Sequence, residues 1–272
     1  MQWPLLDASG AQGTADISTS NGFVTVTASA TPHTPGPWVE MVTSTGRDYA
    51  EITLILLESI ATSATNTSTL VDIGIGASGS ETPLVSSIGI GHSGAGKTIR
   101  IPIIVPAGSR ITTRLRSIVV SKAAELAVIL GGGSGWNPPE AGSVAVTYGA
   151  DTATSAGTNL TLPPGNHIKG AWTQITASTT APIRWLVPLL VGNSTDVAWA
   201  ANHRGLLDIG VGGSGAEAVI IPNLGYGAFN NEALLYYPVT VPVSIPSGTR
   251  LVARYQAALV SEGPGVILVG VG

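Results

Sequence analysis

The chain has no cysteine, two phenylalanines, two methionines and few charges, since Asp, Glu, Lys and Arg together make up 10% of its 272 residues. Without cysteine no disulfide staples the fold, so it stands on its core or on assembly with other subunits, as suits a protein made in a reducing cytoplasm. The charged share is well below the ordinary value of about 25%. Helix surfaces are built mainly from Glu, Lys, Arg and Gln, and their scarcity argues for strands and turns. Net charge is −4. No Lys/Arg cluster interrupts the sequence, so a nucleic-acid partner is not expected. No apolar run reaches the roughly 18 residues of a spanning helix, so no membrane partner is expected either. The opening residues MQWPLLDASG lack a basic stretch followed by a long apolar run, so no secretory leader is expected.

What the chain has instead is 35 glycines, 18 prolines and 44% hydrophobic residues, with a mean hydropathy of +0.36. The apolar residues lie in many short segments, the pattern of strands buried on one or both faces. The length suits one large domain or two ordinary ones.

Internal similarity decides between these. LVDIGIGASGSE from Leu70 returns as LLDIGVGGSGAE from Leu206, 136 residues later. IPIIVPAGSRITTRL from Ile101 returns as VPVSIPSGTRLVARY from Val241, 140 residues later. His33 precedes Trp38 as His167 precedes Trp172, and AVILGGG from Ala127 resembles GVILVGV from Gly265. Repeated phrases in one order at nearly constant spacing imply a duplicated unit. The expected organisation is an arm over residues 1–13, a first domain over 14–134 and a second over 135–272, meeting in GGGSGWNPPEAG. The first unit contains GFVTVTASA, WVEMVTS, YAEITLILLES, TLVDIGIG, PLVSSIGIG, TIRIPIIV, RITTRLRSIVV and ELAVIL. About eight strands between regular turn signals predict an all-β chain of two tandem homologous, jelly-roll-like β-sandwich domains.

In TIRIPIIVP the apolar Ile99, Ile101, Ile103 and Val105 alternate with Arg100 and Pro102, which turns one face to a core. Pro102 and its counterpart Pro242 donate no ladder hydrogen bond, so an edge strand or a bulge is expected. PAGSR and PSGTR then suggest type I turns with Pro second and Gly fourth.

GHSGAGKT, from Gly91 to Thr98, fits the phosphate-cradling pattern G-x-x-x-x-G-K-[ST]. That loop works only between a strand and a helix, whose first N–H groups hold the phosphates. Here IRIPIIVP follows, and two prolines forbid a helix. The stretch is expected to be a hairpin loop, and no nucleotide or other cofactor is expected.

The doubled DIGxGxSGxE brings Asp72 and Glu81 into correspondence with Asp208 and Glu217. One reading is a calcium site in each unit, carboxylates and loop carbonyls being hard oxygen ligands. The spacing lacks the acidic density of calcium loops. The favoured reading pairs the carboxylates with the doubled arginines Arg110, Arg114, Arg250 and Arg254, whose planar heads suit such contacts. His33 and His167 have no neighbouring ligand or nucleophile in sequence, so each is expected to pack on Trp38 or Trp172 or to bond its loop backbone. No catalytic triad or acid pair is present, and no catalytic, cofactor or metal residue is assigned. Trp185, in WLVPLLVG, is expected to lie in a buried strand, and Trp199 is the candidate exposed aromatic.

Tandem sandwiches, absent cysteine, few charges and the phrases LLDIGVGGSGAE and VPVSIPSGTRLVAR resemble structural proteins of tailed bacteriophage virions. The resemblance implies a non-enzymatic capsid decoration (cement) protein, or a tail or fibre component. It also implies assembly in the host cytoplasm, a place in the virion, symmetric oligomers, and contact with other virion proteins such as a major capsid protein. Two similar domains per chain let three chains form a pseudo-sixfold ring. Trp3, Leu5 and Leu6 are candidates to anchor a docking arm. The alternative is a carbohydrate-binding or host-receptor-binding module of a tail fibre, with a glycan stacked on an aromatic such as Trp199.

Overall fold

The computed structural model describes residues 23–60, 69–90, 97–132, 141–191, 204–229, 232–235, 239–258 and 264–272. The expected arm and its Trp3, Leu5 and Leu6 lie outside the described residues, as do Trp136, Trp199, His92, His203 and most of the junction between the units. Among the described residues every regular element is a strand, and no helix is long and apolar enough to cross a membrane.

The first half contributes β1 (Val24–Thr27), β2 (Val39–Val42), β3 (Glu51–Ile60), β4 (Thr69–Ile75), β5 (Thr82–Gly89), β6 (Lys97–Ile101), β7 (Ile111–Ser117) and β8 (Ala123–Gly131). They form two four-stranded sheets, β1-β8-β3-β6 and β2-β7-β4-β5. Apart from the β4–β5 hairpin, successive strands lie in opposite sheets, which is the double Greek key of a jelly roll. The second half contributes β9 (Ala145–Tyr148), β10 (Ala150–Asp151), β11 (Ala156–Asn159), β12 (Thr173–Thr176), β13 (Ile183–Val191), β14 (Arg204–Val211), β15 (Ala218–Phe229), β16 (Glu232–Leu235), β17 (Val241–Ile245), β18 (Leu251–Ala257) and β19 (Gly265–Val271). Its sheets run β10-β11-β19-β13-β17, with β9 also on β19, and β12-β18-β14-β15-β16.

The duplication extends to individual residue pairs. Val39 faces Thr113 as Thr173 faces Ala253. Asp72 faces Arg114 as Asp208 faces Arg254. Leu70 faces Gly89 as Leu206 faces Gly225. The register slips at matching places in both units, between Glu40 and Val42 and between Gln174 and Thr176. A shared set of bulges preserves which residues face inward, because a one-residue slip would turn a whole strand over. The chain is therefore two tandem β-sandwiches of one topology.

Local chemistry explains the elements. Ile99, Ile101, Ile103 and Val105 are all buried. Pro102 ends β6, which lies at a sheet edge, as does β17 with Pro242. The turn that follows differs from the expected type I. It spans Pro106 to Ser109, closed by Ser109 N–H on the Pro106 carbonyl at 3.3 Å. This puts Gly108 third, with φ +76°, and Gly248 has φ +81°. A positive φ at the third position belongs to type II, and glycine adopts it without a Cβ penalty.

GHSGAGKT also departs from expectation. Its residues 91–96 lie outside the described set, but the flanking strands do not form a hairpin: β5 pairs with β4, whereas β6 pairs with β3 in the opposite sheet. Lys97 and Thr98 begin a strand, and Lys97 Nζ donates to the Ile90 carbonyl at 2.6 Å. Strand-to-strand context denies the segment the helix that phosphate binding requires.

The two sandwiches stack. Ile183, Leu186, Leu190, Val266 and Leu268 face the second sandwich's own core. The residues between them, Val187, Leu189 and Val191 on β13 and Ile267, Val269 and Val271 on β19, are buried in the core cluster of the first sandwich. This sheet is thus covered on both faces, which its nearly unbroken apolar run anticipates. Against it lies the β4–β5 end of the first sandwich. Leu70 is 1% exposed, and a Cβ on Gly89 would sit 2.1 Å from Val191 Cγ1 and 2.9 Å from Ile267 Cδ1. Polar contacts border the seam. Arg116 donates to the Thr152 carbonyl at 3.4 Å, and Thr147 Oγ1 donates to the Ser86 carbonyl. At about 1.5–3 kcal/mol per buried aliphatic side chain, the six residues contribute on the order of 10 kcal/mol gross. That makes the joint a fixed packing rather than a hinge.

Candidate functional site

The repeated phrase builds one constellation twice. In the first sandwich Asp72 on β4 accepts from Arg114 Nε at 2.7 Å through Oδ2. Its Oδ1 accepts the backbone N–H of Ser87 at 2.7 Å. Ser87 has φ 56° and sits where β5 slips register against β4. The aspartate thus satisfies an N–H that the bulge removes from the ladder. Arg114 lies 4.2 Å from the centroid of the Trp38 ring. That ring rests on Gly74, where a Cβ would come within 2.8 Å of it. Glu81 closes the adjoining turn. Its Oε2 accepts from Gly79 N–H at 2.9 Å and its Oε1 from Arg110 at 2.8 Å. Arg110 also donates to Glu40 at 2.6 Å.

The second sandwich repeats each contact. Asp208 accepts from Arg254 at 3.0 Å and from Asn223 N–H at 2.9 Å. Asn223 has φ 55°. Arg254 lies 4.3 Å from the Trp172 ring centroid, and that ring rests on Gly210. Glu217 accepts from Gly215 N–H and from Arg250, both at 3.0 Å. Besides Asn223 in place of Ser87, two differences distinguish the copies. Gln174 replaces Glu40 as the second partner of the turn arginine, at 2.9 Å. Lys169 adds a cation, donating to Asp208 Oδ1 at 2.6 Å and Asn223 Oδ1 at 2.9 Å.

Electrostatics follow this wiring. The Arg110 guanidinium holds the Glu81 carboxyl below its ordinary range, and Arg250 does the same for Glu217. Burial pushes Asp208 upward, but Lys169, the Asn223 N–H and Arg254 together outweigh it and leave the group lowered. Glu40 and Glu81 raise the pKa of Arg110. In the core of the second sandwich, burial pushes the hydroxyls of Tyr226 and Tyr255 upward, their rings 6.3 Å apart.

Each oxygen of Asp72, Glu81, Asp208 and Glu217 already accepts from an arginine, a lysine or a backbone N–H. A cation seeking four to eight oxygen ligands would have to displace these bonds. Among the described residues no three His, Asp or Glu side chains come together in a group able to hold a metal. The constellation works as a clamp that ties a bulge, a turn and an aromatic ring to neighbouring strands.

The Trp38 and Trp172 rings each carry an arginine guanidinium. His33 and His167 adopt φ 59° and 60°, and their N–H groups donate to Ser117 and Ala257 carbonyls at 2.8 and 2.7 Å. The His33 ring also meets Ser155 Oγ of the second sandwich at 3.1 Å. His167 is exposed. Trp185 lies on β13, half-buried. Sequence reasoning missed the roles of Ser87, Asn223, Lys169 and the tryptophans as ring platforms. The repeated His-to-Trp spacing was the available signal for the last.

No known family pattern matches the chain, and no curated protein matches it. Among solved structures the STIV major capsid protein is similar at 11% identity and a TM-score of 0.33, over 94% of this chain and 96% of that one. The tandem CBM22 domains of Xyn10C from Paenibacillus barcinonensis share 11% identity at a TM-score of 0.24, over 95% and 89%. A peptide-N(4)-(N-acetyl-β-D-glucosaminyl)asparagine amidase shares 8% at 0.31, over 92% and 96%. A capsid protein, a carbohydrate-binding pair and an enzyme stand side by side. Likeness this distant decides nothing about activity.

Proposed function

We propose that the chain is a non-enzymatic structural protein of a bacteriophage virion, a capsid decoration (cement) protein that acts by assembling with copies of itself and with other virion proteins. The observation that carries this reading is the use of broad aliphatic sheet faces as contact surfaces. Six side chains turned away from one core are buried against a second sandwich. The conspicuous ionisable side chains are meanwhile committed to structural clamps. A low-charge surface is cheap to desolvate, so it favours association over solvation. Assembly in the host cytoplasm and a place in the particle follow from this role. The trimeric ring is its simplest symmetric form, with six similar sandwiches in three chains.

Native mass spectrometry across a concentration range tests the reading. Oligomers that grow with concentration are the expected result, and a monomer at every concentration would overturn it. The glycan-binding alternative rests on Trp199, outside the described residues. The described Trp38 and Trp172 each carry a guanidinium over the ring, where a sugar would stack. Retained glycan-array binding that Trp199→Ala abolishes would favour the alternative.

A further inference from the structure

The seam between the two sandwiches uses one face from each, and the duplication supplies a second copy of both. The covered face of β13 and β19 corresponds, residue for residue, to the outward face of β3 and β8. Val187 pairs with Val269 as Thr53 pairs with Ile129, and Leu189 with Ile267 as Ile55 with Ala127. Among the described residues no second sandwich lies against this face of the first. Ile55 and Ile129 are half-buried and Leu57 is 46% exposed. The covering face, Leu70 opposite Gly89, corresponds to Leu206 opposite Gly225 on the second sandwich. Leu70 and Gly89 are buried, whereas Leu206 and Gly225 are half-buried.

We infer that these two free faces dock on each other between chains. The Leu206/Gly225 face of one copy covers the Ile55/Leu57/Ile129 face of the next and repeats the internal seam head to tail. The occupant is a second copy of this chain, because the complementary surface is already present on the same molecule and already works within it. A glycine opposite a leucine gives the facing sheet a shallow recess, as Gly89 does for Val191 and Ile267. Such a heterologous contact leaves one free face at each end, so it propagates until a ring closes. The free face is weaker than its covered counterpart. Thr53 and Gly131 replace Val187 and Val271, and the Glu51–Arg100 ion pair, at 2.8 Å, borders the patch. A reversible contact between chains beside a permanent one within them is the expected consequence. The inference rests on the assembly reading above and specifies its surface.

The test uses two full-length variants. One carries Leu57→Arg and Ile129→Arg, which block the first face. The other carries Leu206→Arg and Gly225→Leu, which block the second. Each alone is expected to run at the single-chain mass of 27.4 kDa, with an unchanged near-ultraviolet circular-dichroism spectrum. Mixed, they are expected to give a complex of twice that mass and nothing larger, since only one compatible pair of faces survives. An unassembled wild-type chain overturns both the inference and the assembly reading. Wild-type oligomers that survive in both variants overturn the head-to-tail contact alone, as does homodimerisation of either variant by itself. Loss of the native spectrum in one double variant is resolved by Leu57→Arg alone, at a site already exposed, which must still dissociate the wild-type oligomer.

Discussion

Val187, Leu189 and Val191 of β13 stand at the register positions that Thr53, Ile55 and Leu57 occupy on β3, and the two triplets have opposite fates. The first is buried under another sandwich; the second reaches solvent. The strand order β8-β3-β6 returns as β19-β13-β17, and the pairing of Thr53 with Ile129 returns as that of Val187 with Val269. On the outward face, Thr53 stands where Val187 does, while Ile55 and Leu57 stay apolar although more accessible than Leu189 and Val191. A repeated fold therefore does not require a repeated environment. The inward half of each strand answers to its own core, and the outward half to whatever is stacked on it.

The sharpest way to break this comparison is Gly89→Val. Its Cβ would come 2.1 Å from Val191 Cγ1, and overpacking of this kind costs about 1–3 kcal/mol or more where backbone must move. A fall in the denaturant midpoint of that size is expected, with little change for Gly225→Val in the unassembled chain. Leu189→Ala is next. Removing a buried leucine costs about 2–5 kcal/mol, while Ile55→Ala at the matching uncovered position should cost less than half as much. Equal losses in parallel urea titrations would contradict the assignment of covered and free faces.

The clamps offer a finer contrast. Asp208→Ala strands Arg254, Lys169 and the Asn223 N–H, whereas Asp72→Ala strands Arg114 and the Ser87 N–H. Hydrogen bonds to a charged group contribute about 1.5–3 kcal/mol, so both losses should be measurable. Part of the loss at Asp208 is offset because Lys169 and Arg254 no longer have to be held near each other. A midpoint shift for Asp72→Ala below the uncertainty of the titration would exclude the proposed support of the bulge.

The smallest expected effect is the response to acid. Glu81, Glu217 and Asp208 all have folded-state pKa values below their ordinary 4.5 or 3.8. Their contribution is complete above the unfolded values and is lost as pH falls through the folded ones, since the unfolded chain then binds more protons. Stability should hold down to about pH 5 and decline below it. Replacing Glu217 with Gln should flatten that decline without altering stability at lower pH, as followed by thermal melts.

The repeat, the all-strand composition and the alternation around Ile99 to Val105 were legible because they depend on residues near one another along the chain. The doubled Asp, Glu and Arg residues could also be read as partners, since both charges recur in the same order in both copies. The assignment of Arg114 to Asp72 and Arg110 to Glu81 could not, because it depends on the β4–β7 register. The hairpin expected at GHSGAGKT failed for the same reason: local turn chemistry does not say which sheet the next strand joins. The type I turn failed on a single dihedral, Gly108 taking the positive φ that moves it from fourth place to third.

By itself the sequence determined that this protein folds twice into one strand-built unit, because hydrophobic periodicity and glycine placement act over a few residues and recur in both copies. Only the tertiary structure decided that, among the described residues, a second sandwich covers the outward face of β13 and β19 and not that of β3 and β8. Apolar area is withdrawn from water by whichever surface arrives against it, and that surface comes from the far half of the chain.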